Sequence, residues 1–378
     1  MIKLAQKYIE DFKQKKRAFW AFQIEPTSRC QLRCVVCPRA CFLKEWESRD
    51  MPISSYMKIS RYFQKARYVH LQGWGEPLLH PNLFEMVKIA KSAGCKVSIT
   101  TNGQMLNSEN SKRLVAEGID IVTISVAGAS QGTHGFIRTG SDLKTIFENV
   151  TWLSNYKKKI KAEMPRIHFS YIMTKTNLGE LPEFLRIAKG IGVQEVVATN
   201  LDYTPTLFQD DLKIFSGKET NRFQKHIKKI EKTAARLRLP LRIYPLVMQE
   251  EIVCELDPLR ILFISSNGTV SPCVYLNLPI DGMIPRIFCG TKIKVPQLSF
   301  GNINSQDLIE IWDNREYREF RKNYVRRAEL LAKAYKNIDF DLFGTMDRMK
   351  KAEREVEKGL KVLPLPSSCR TCYKAYGI

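Results

Sequence analysis

Between about Phe19 and Pro245 the chain alternates short β-branched and aromatic runs with stretches whose apolar positions recur at helical spacing. The runs predict strands over residues 19–24, 68–72, 96–101, 119–126, 167–173 and 194–199. Residues 82–93 place Leu83, Met86, Val87 and Ala90 at i, i+3, i+4 and i+7, with Gly94 positioned to end the helix. Residues 181–189 repeat that spacing with Leu181, Phe184, Leu185 and Ala188 before Gly190. Strand and helix in alternation imply parallel βα units. Six units predict an α/β fold, a partial, open (β/α)6 TIM-like barrel whose chemistry belongs at the C-terminal ends of its strands.

Past Pro245 the pattern changes. Residues 259–265 and 269–275 flank Asn267-Gly268, a strong signal for a tight hairpin. A helix follows Ser305, with Leu308, Ile309, Ile311 and Trp312 apolar, and residues 315–361 read as a charged helical insertion broken by aromatics at 340–343. Leu363-Pro364-Leu365-Pro366 then ends regular structure just ahead of Cys369 and Cys372. The organisation expected is an N-terminal helix (1–18), the barrel (19–245) and a small α+β domain with a β-hairpin (246–378).

The 378 residues, 44% of them hydrophobic, are enough for cores of that size. Sixty Lys and Arg against 39 Asp and Glu leave a net charge of +21, which favours anionic partners. The basic residues are spread along helices, as at 157–161 and 225–232, without the interleaved aromatics of a single-strand-binding groove. A solvated basic surface suited to an acidic peptide or protein is therefore favoured over nucleic-acid binding. No run of eighteen apolar residues exists, and residues 1–16 mix charge with apolar positions, so no membrane span, no signal peptide and a cytoplasmic location are expected. In that compartment ten cysteines point to metal ligation.

Cys30, Cys34 and Cys37 follow the first strand as Cys-Gln-Leu-Arg-Cys-Val-Val-Cys. A C-x-x-x-C-x-x-C loop can wrap three corners of a [4Fe–4S] cube and leave the fourth iron without a protein ligand. Zinc with Cys41 as fourth ligand, or three core cysteines, are the other readings of these residues alone. Polar turns follow the next strands: Gly73-Trp74-Gly75-Glu76-Pro77, Thr100-Thr101-Asn102-Gly103 and Ser125-Val126-Ala127-Gly128, with His134-x-x-x-Arg138 beyond. Several polar turns on one barrel rim read as a site.

In spacing and position these motifs resemble the radical S-adenosylmethionine (SAM) enzymes. The resemblance implies that Cys30, Cys34 and Cys37 hold a cluster whose open iron chelates SAM. An electron from it would break SAM into methionine and a 5′-deoxyadenosyl radical, which takes a hydrogen atom from substrate. Gly75, Glu76 and Asn102 are then SAM-binding positions, with Glu76 at the amino group, and Ser125 and Arg138 hold ribose and carboxylate. A guanidinium suits the carboxylate because its fork donates two parallel hydrogen bonds. Two departures stand out: Trp74 replaces the first of two adjacent glycines, and Val36 stands where the family usually has an aromatic against adenine.

The C-terminal frame resembles the SPASM and twitch extensions of that superfamily, which hold auxiliary iron–sulfur clusters. It comprises Cys254, the hairpin leading to Cys273, Phe300-Gly301-Asn302-Ile303 with Ile311-Trp312, and Cys369-x-x-Cys372. Two auxiliary clusters need about seven or eight ligands. Five cysteines (Cys254, Cys273, Cys289, Cys369, Cys372) lie beyond the barrel. One fully ligated cluster fits, with Cys254, Cys273, Cys369 and Cys372 as the favoured set and Cys289 as a spare. Structural zinc is the alternative. Cys95 reads as a buried apolar residue, and Cys41 has no assigned role.

Two [4Fe–4S] clusters and SAM are thus the expected cofactors, with an external donor such as flavodoxin or ferredoxin as redox partner. The implied function is a radical SAM oxidoreductase or maturase, acting on a peptide or protein or as a dehydrogenase that uses its auxiliary cluster. A radical SAM enzyme modifying RNA or a nucleotide is one alternative, and a zinc-stabilised basic scaffold is another. Tyr203, Asp210, Asp211 and Asp257 stand as equal candidates for a general base.

Overall fold

A computed structural model describes residues 2–13, 19–217, 222–336 and 345–378; the aromatic break expected at 340–343 and the end of segment 1–18 lie outside them. Six strands, β1 (Phe19–Ile24), β2 (Ala66–Leu71), β3 (Lys96–Thr101), β4 (Ile121–Val126), β5 (Arg166–Met173) and β6 (Glu195–Asn200), pair in parallel and in sequential order. A short β7 (Leu241–Ile243) adds a seventh parallel strand beside β6. Three residues are too few for alternation to register in sequence.

On the opposite edge β8 (Ile261–Ile264) runs parallel to β1 and returns through Asn267-Gly268 as antiparallel β9 (Thr269–Ser271). β10 (Ile284–Phe288) and β11 (Thr291–Val295) form a separate hairpin, and β12 (Gly301–Asn302) pairs with β9. The expected C-terminal hairpin is therefore an extension of the barrel sheet.

Along the strands burial alternates with period two. Val97 and Ile99, Val122 and Ile124, and Phe169 and Tyr171 are fully buried on the helix-covered face. The opposite positions include Thr100, Ser125 and Ile172, which line the central cavity. A closed eight-stranded barrel fills its interior with branched apolar side chains. Here His70, Ser98, Thr123 and Ser170 share the register of the cavity-lining residues and are only half-buried, so the lumen is polar and open.

The charged segment after residue 315 is helical over Arg315–Ala334 and Thr345–Val362. Asn314 caps the first helix by accepting from Tyr317 N at 2.8 Å. Its apolar stripe, Ala328 and Leu331, packs against Ala5 and Tyr8 of the N-terminal helix Ile2–Lys13 and against Val356. Arg327, fully buried, fastens this helix to Glu250 at 2.7 Å and to the carbonyls of Glu251, Ile252 and Leu363.

Candidate functional site

At the C-terminal mouth of the barrel lies a cavity of about 240 Å³, walled on one side by Cys30, Cys34 and Cys37. Gly75 and Glu76 after β2, Asn102 after β3, Ser125 on β4 and Arg138 form the adjoining walls. A Cβ at Gly75 would overlap the carbonyl oxygens of Thr27 and Arg29, so only glycine lets the turn lie against the backbone that leads into the cysteine loop. Glu76 N donates to Arg29 O at 2.8 Å and completes that seam.

The Glu76 carboxylate is buried and accepts from Asn102 N (2.7 Å), Thr101 Oγ1 (2.7 Å) and Leu78 N (3.1 Å). Burial pushes its pKa up, and these bonds oppose the shift. A carboxylate has about four acceptor sites, so one remains for a donor in the cavity. Asn102 Nδ2 reaches Gln31 Oε1 at 3.3 Å and Cys30 Sγ at 3.8 Å, linking the β3 turn to the cysteine loop.

Arg138 follows the helix Gln131–Ile137, and its Nε is buried without a hydrogen-bond partner among the described residues. An anionic group in the cavity would satisfy that donor. His134 fixes the turn: Nδ1 accepts from Ala127 N (3.3 Å), which leaves the proton on Nε2 to donate to Ser141 Oγ (2.9 Å). Burial, then the Arg138 charge, bring His134 down to about 3, so it is neutral. Glu180 accepts from Ala129 N (2.7 Å) and Ser130 N (3.2 Å), capping the helix from the β5–β6 connection.

Burial, then the neighbouring Cys34 and Cys30, push the Cys37 thiol up to about 12; Cys30 is raised chiefly by burial. The Cys30 and Cys37 thiols, raised in this way, are held toward their neutral forms. A bound cation reverses that balance.

A second thiol group lies beyond the aromatic wall of the cavity. Cys254, Cys273, Cys369 and Cys372 line one small pocket, all four free of disulfides, with Leu256, Pro258 and Phe320 around them. Burial first, then the other thiols, push Cys254 and Cys273 up, and Cys369 reaches about 11. This donor set fits a thiolate-ligated cluster. Lys374, two residues past Cys372, pairs with Asp202 at 2.9 Å and Glu255 at 3.7 Å, and its Nζ lies 4.4 Å over the Tyr244 ring. Asp202 also accepts from Tyr275 OH at 3.0 Å.

The wall itself is Trp74, Tyr203 and Tyr275, with ring centroids 5.9 to 6.2 Å apart. The departure at Trp74 has a consequence: its Nε1 donates to Asn277 O at 3.0 Å, bridging the barrel rim to the chain beyond Cys273. Below it, buried Glu25 accepts from Trp74 N (2.8 Å), Ser266 N (3.0 Å) and Ser266 Oγ (2.8 Å). One carboxylate thus joins β1, the β2 turn and the β8–β9 hairpin.

The profile of the Radical SAM superfamily matches residues 24–188. That of the SPASM iron-sulfur cluster-binding domain matches residues 254–333. A tungsten-containing aldehyde ferredoxin oxidoreductase cofactor-modifying protein of Pyrococcus furiosus is 30% identical over 316 residues, 80% of this chain and 84% of that protein. The chain belongs to the radical SAM superfamily. The AdoMet-dependent heme synthase of Methanosarcina barkeri is 26% identical over 320 residues, 79% of this chain and 82% of the other. Streptococcus suis SuiB bound to precursor peptide SuiA shares the fold, with a TM-score of 0.60 and 16% identity over 84% of this chain and 70% of that one. So does anSMEcpe with bound AdoMet, at 0.55 and 17%, covering 91% and 98%.

Membership gives this radical SAM enzyme [4Fe–4S] clusters and SAM as cofactors and leaves the zinc-scaffold alternative without support. No helix among the described residues is long and apolar enough to cross a membrane. Of the four general-base candidates only Tyr203 lines the cavity. Asp257 is tied to Arg260 and Tyr8, Asp210 to Lys213, and exposed Asp211 to Lys175. The carboxylate that does line the cavity besides Glu76 is Asp202, which the sequence reading passed over; its place just past a barrel strand was the available signal. Glu25, just past β1, carried the same signal. Cys41 is exposed and accepts from Gln209 Nε2 at 3.1 Å; exposed Cys289 sits in the β10–β11 turn, outside the four-thiol pocket. Cys95 is buried, its Sγ 3.3 Å from Phe63 O.

Proposed function

We propose that this radical SAM enzyme oxidises or matures a peptide or protein held in the central cavity, with Cys30, Cys34 and Cys37 on one side of the substrate and the Cys254, Cys273, Cys369 and Cys372 site behind the other. The observation that carries the reading is the shared wall: Asp202, Tyr203 and Tyr275 line the cavity while Lys374, Cys273 and Cys372 adjoin them from the second site. When bound, the first cluster with SAM supplies hydrogen-atom abstraction and the second an electron acceptor.

The chain's own groups do the rest. Arg138 and the free acceptor site of Glu76 orient the two charged ends of a zwitterion. Asp202 Oδ1, next to the Tyr275 hydroxyl, is the acceptor for the proton that an oxidised substrate X–H group must lose. The lysine-rich surface draws an acidic peptide, and SuiB, which shares the fold, is a peptide-binding protein. An external flavodoxin or ferredoxin would deliver the first electron.

The test is anaerobic turnover of SAM with acidic peptides encoded beside its gene. The expected result is a peptide lighter by two hydrogens, with deuterium from labelled peptide recovered in 5′-deoxyadenosine. Stimulation by RNA and by no peptide would move the assignment to the RNA-modifying alternative.

A further inference from the structure

At the opposite end of the barrel, where helices feed back into strands, five consecutive connections end their helices in the same way. After each helix one residue takes a left-handed conformation: Gly94 (φ 85°), Gly118 (69°), Lys161 (56°), Gly192 (87°) and Arg238 (49°). The paired backbone bonds are the same too: Gly94 N to Lys91 O and Cys95 N to Ala90 O in the first, Lys161 N to Lys158 O and Ala162 N to Lys157 O in the third, Arg238 N to Ala235 O and Leu239 N to Ala234 O in the fifth. Glycine is the residue that adopts this turn without a Cβ penalty. Three connections use it and two do not. In both exceptions the side chain is a cation.

Those two cations line the same cavity. It measures about 510 Å³ and lies between the β5, β6 and β7 connections, with Lys157, Lys158 and Lys189 on its walls beside Lys161 and Arg238. Val193, Leu239 and Pro240 supply apolar surface, and among the described residues no carboxylate lines it. A bland reading exists, since last-turn lysines offset the negative ends of helices. It accounts for Lys157, whose Nζ is spent on Pro165 O, and for Lys189, 3.5 Å from Arg238 O. Among the described residues Lys158, Lys161 and Arg238 make no ion pair or side-chain hydrogen bond, and a helix end alone does not call for strained residues in place of glycine. Local rules broken at a cavity are the mark of a site rather than of a cap.

We infer that this cavity is a binding site for a small phosphorylated molecule, its phosphates held by Lys158, Lys161 and Arg238 and its remainder against the apolar floor. Its volume falls in the range of small-molecule pockets, and clustered cations without counter-charge suit phosphate oxygens. The site is separate from the SAM cavity at the other end of the strands, so it stands or falls independently of the proposed reaction.

The double variant Lys161→Gly with Arg238→Gly isolates the claim, because glycine fits both backbones and cannot break the turns. Titration calorimetry of the full chain with inorganic triphosphate at physiological ionic strength, where diffuse attraction is screened, should give saturable binding that weakens about tenfold or more in the double variant. Its thermal midpoint should hold or rise. A control removing two exposed lysines elsewhere, Lys88→Ala with Lys333→Ala, should bind as wild type. Absence of saturable binding in the wild type, or an equal loss in the control, would overturn the assignment.

Discussion

The two thiol sites are built in opposite ways. Cys30, Cys34 and Cys37 come from one short loop that is seated by other parts of the chain: Gly75 packs on its backbone, Asn102 reaches Cys30, and the Glu76 amide bonds to Arg29 O. Cys254, Cys273, Cys369 and Cys372 come from three separate segments that meet at one pocket. The first site is held by the fold, whereas the second, once its thiols share a cluster, would help to hold it. A cluster held at the first would be a reagent carried on a finished scaffold; one held at the second would close long loops as well, so that its binding would add to folding free energy.

The sharpest way to break this comparison is to remove each site in turn. Replacing Cys369 and Cys372 by alanine should cost roughly 2–5 kcal/mol in unfolding experiments, the scale of a lost native cross-link. Replacing Cys30, Cys34 and Cys37 should cost less than about 1 kcal/mol, since that loop is anchored by its neighbours. Equal losses would erase the distinction.

Lys374→Met comes next. It leaves Asp202 without its cation while Glu255 keeps Arg242, for roughly 2–3 kcal/mol, below the 3–5 of a fully buried pair because Asp202 reaches solvent. Circular dichroism melts read the loss, and iron should fall at the second site with SAM affinity unchanged. A drop in SAM affinity instead would mean that the strut serves the first site.

Arg138→Ala should weaken SAM binding by roughly 1.5–3 kcal/mol without moving the melting point, the usual worth of a hydrogen bond to a charged group. Unchanged affinity in calorimetry would remove Arg138 from the site, and Glu76→Gln tests the amino-group contact in the same titration.

The last effect is in pH. His134 is held neutral with a folded value of about 3 against an ordinary 6.5, so the unfolded chain binds the extra proton between those values. The stability this contributes is complete above pH 6.5 and is lost as pH falls toward 3. His134→Gln should flatten the decline in melting point between pH 7 and 5, and a slope matching wild type would show that His134 does not titrate on unfolding.

The same contrast decides what the sequence made legible. The first site could be read along the chain, because its cysteines share one loop and Glu76, Asn102 and Ser125 each sit at or just past a strand that periodicity had located. The set at the second site was legible as a list of cysteines. Its context was not: that β8 pairs with β1, that Glu25 bonds to both Trp74 and Ser266, and that Lys374 reaches Asp202 are contacts between remote segments with no local pattern. Asp202 had one local signal, its place just past β6, which Tyr203 shared; its lysine and tyrosine partners are what single it out.

The central claim is that the cavity lies between a SAM-binding cluster at Cys30, Cys34 and Cys37 and a separate cluster at Cys254, Cys273, Cys369 and Cys372. Iron analysis with electron paramagnetic resonance of the reduced proteins, before and after adding SAM, tests it most directly. Wild type should hold about eight irons and each cysteine variant about four. SAM should change the spectrum of the folded Cys369→Ala/Cys372→Ala variant and leave that of the Cys30/Cys34/Cys37 variant untouched. A SAM-dependent change in the latter, or full iron in either variant, would contradict the account.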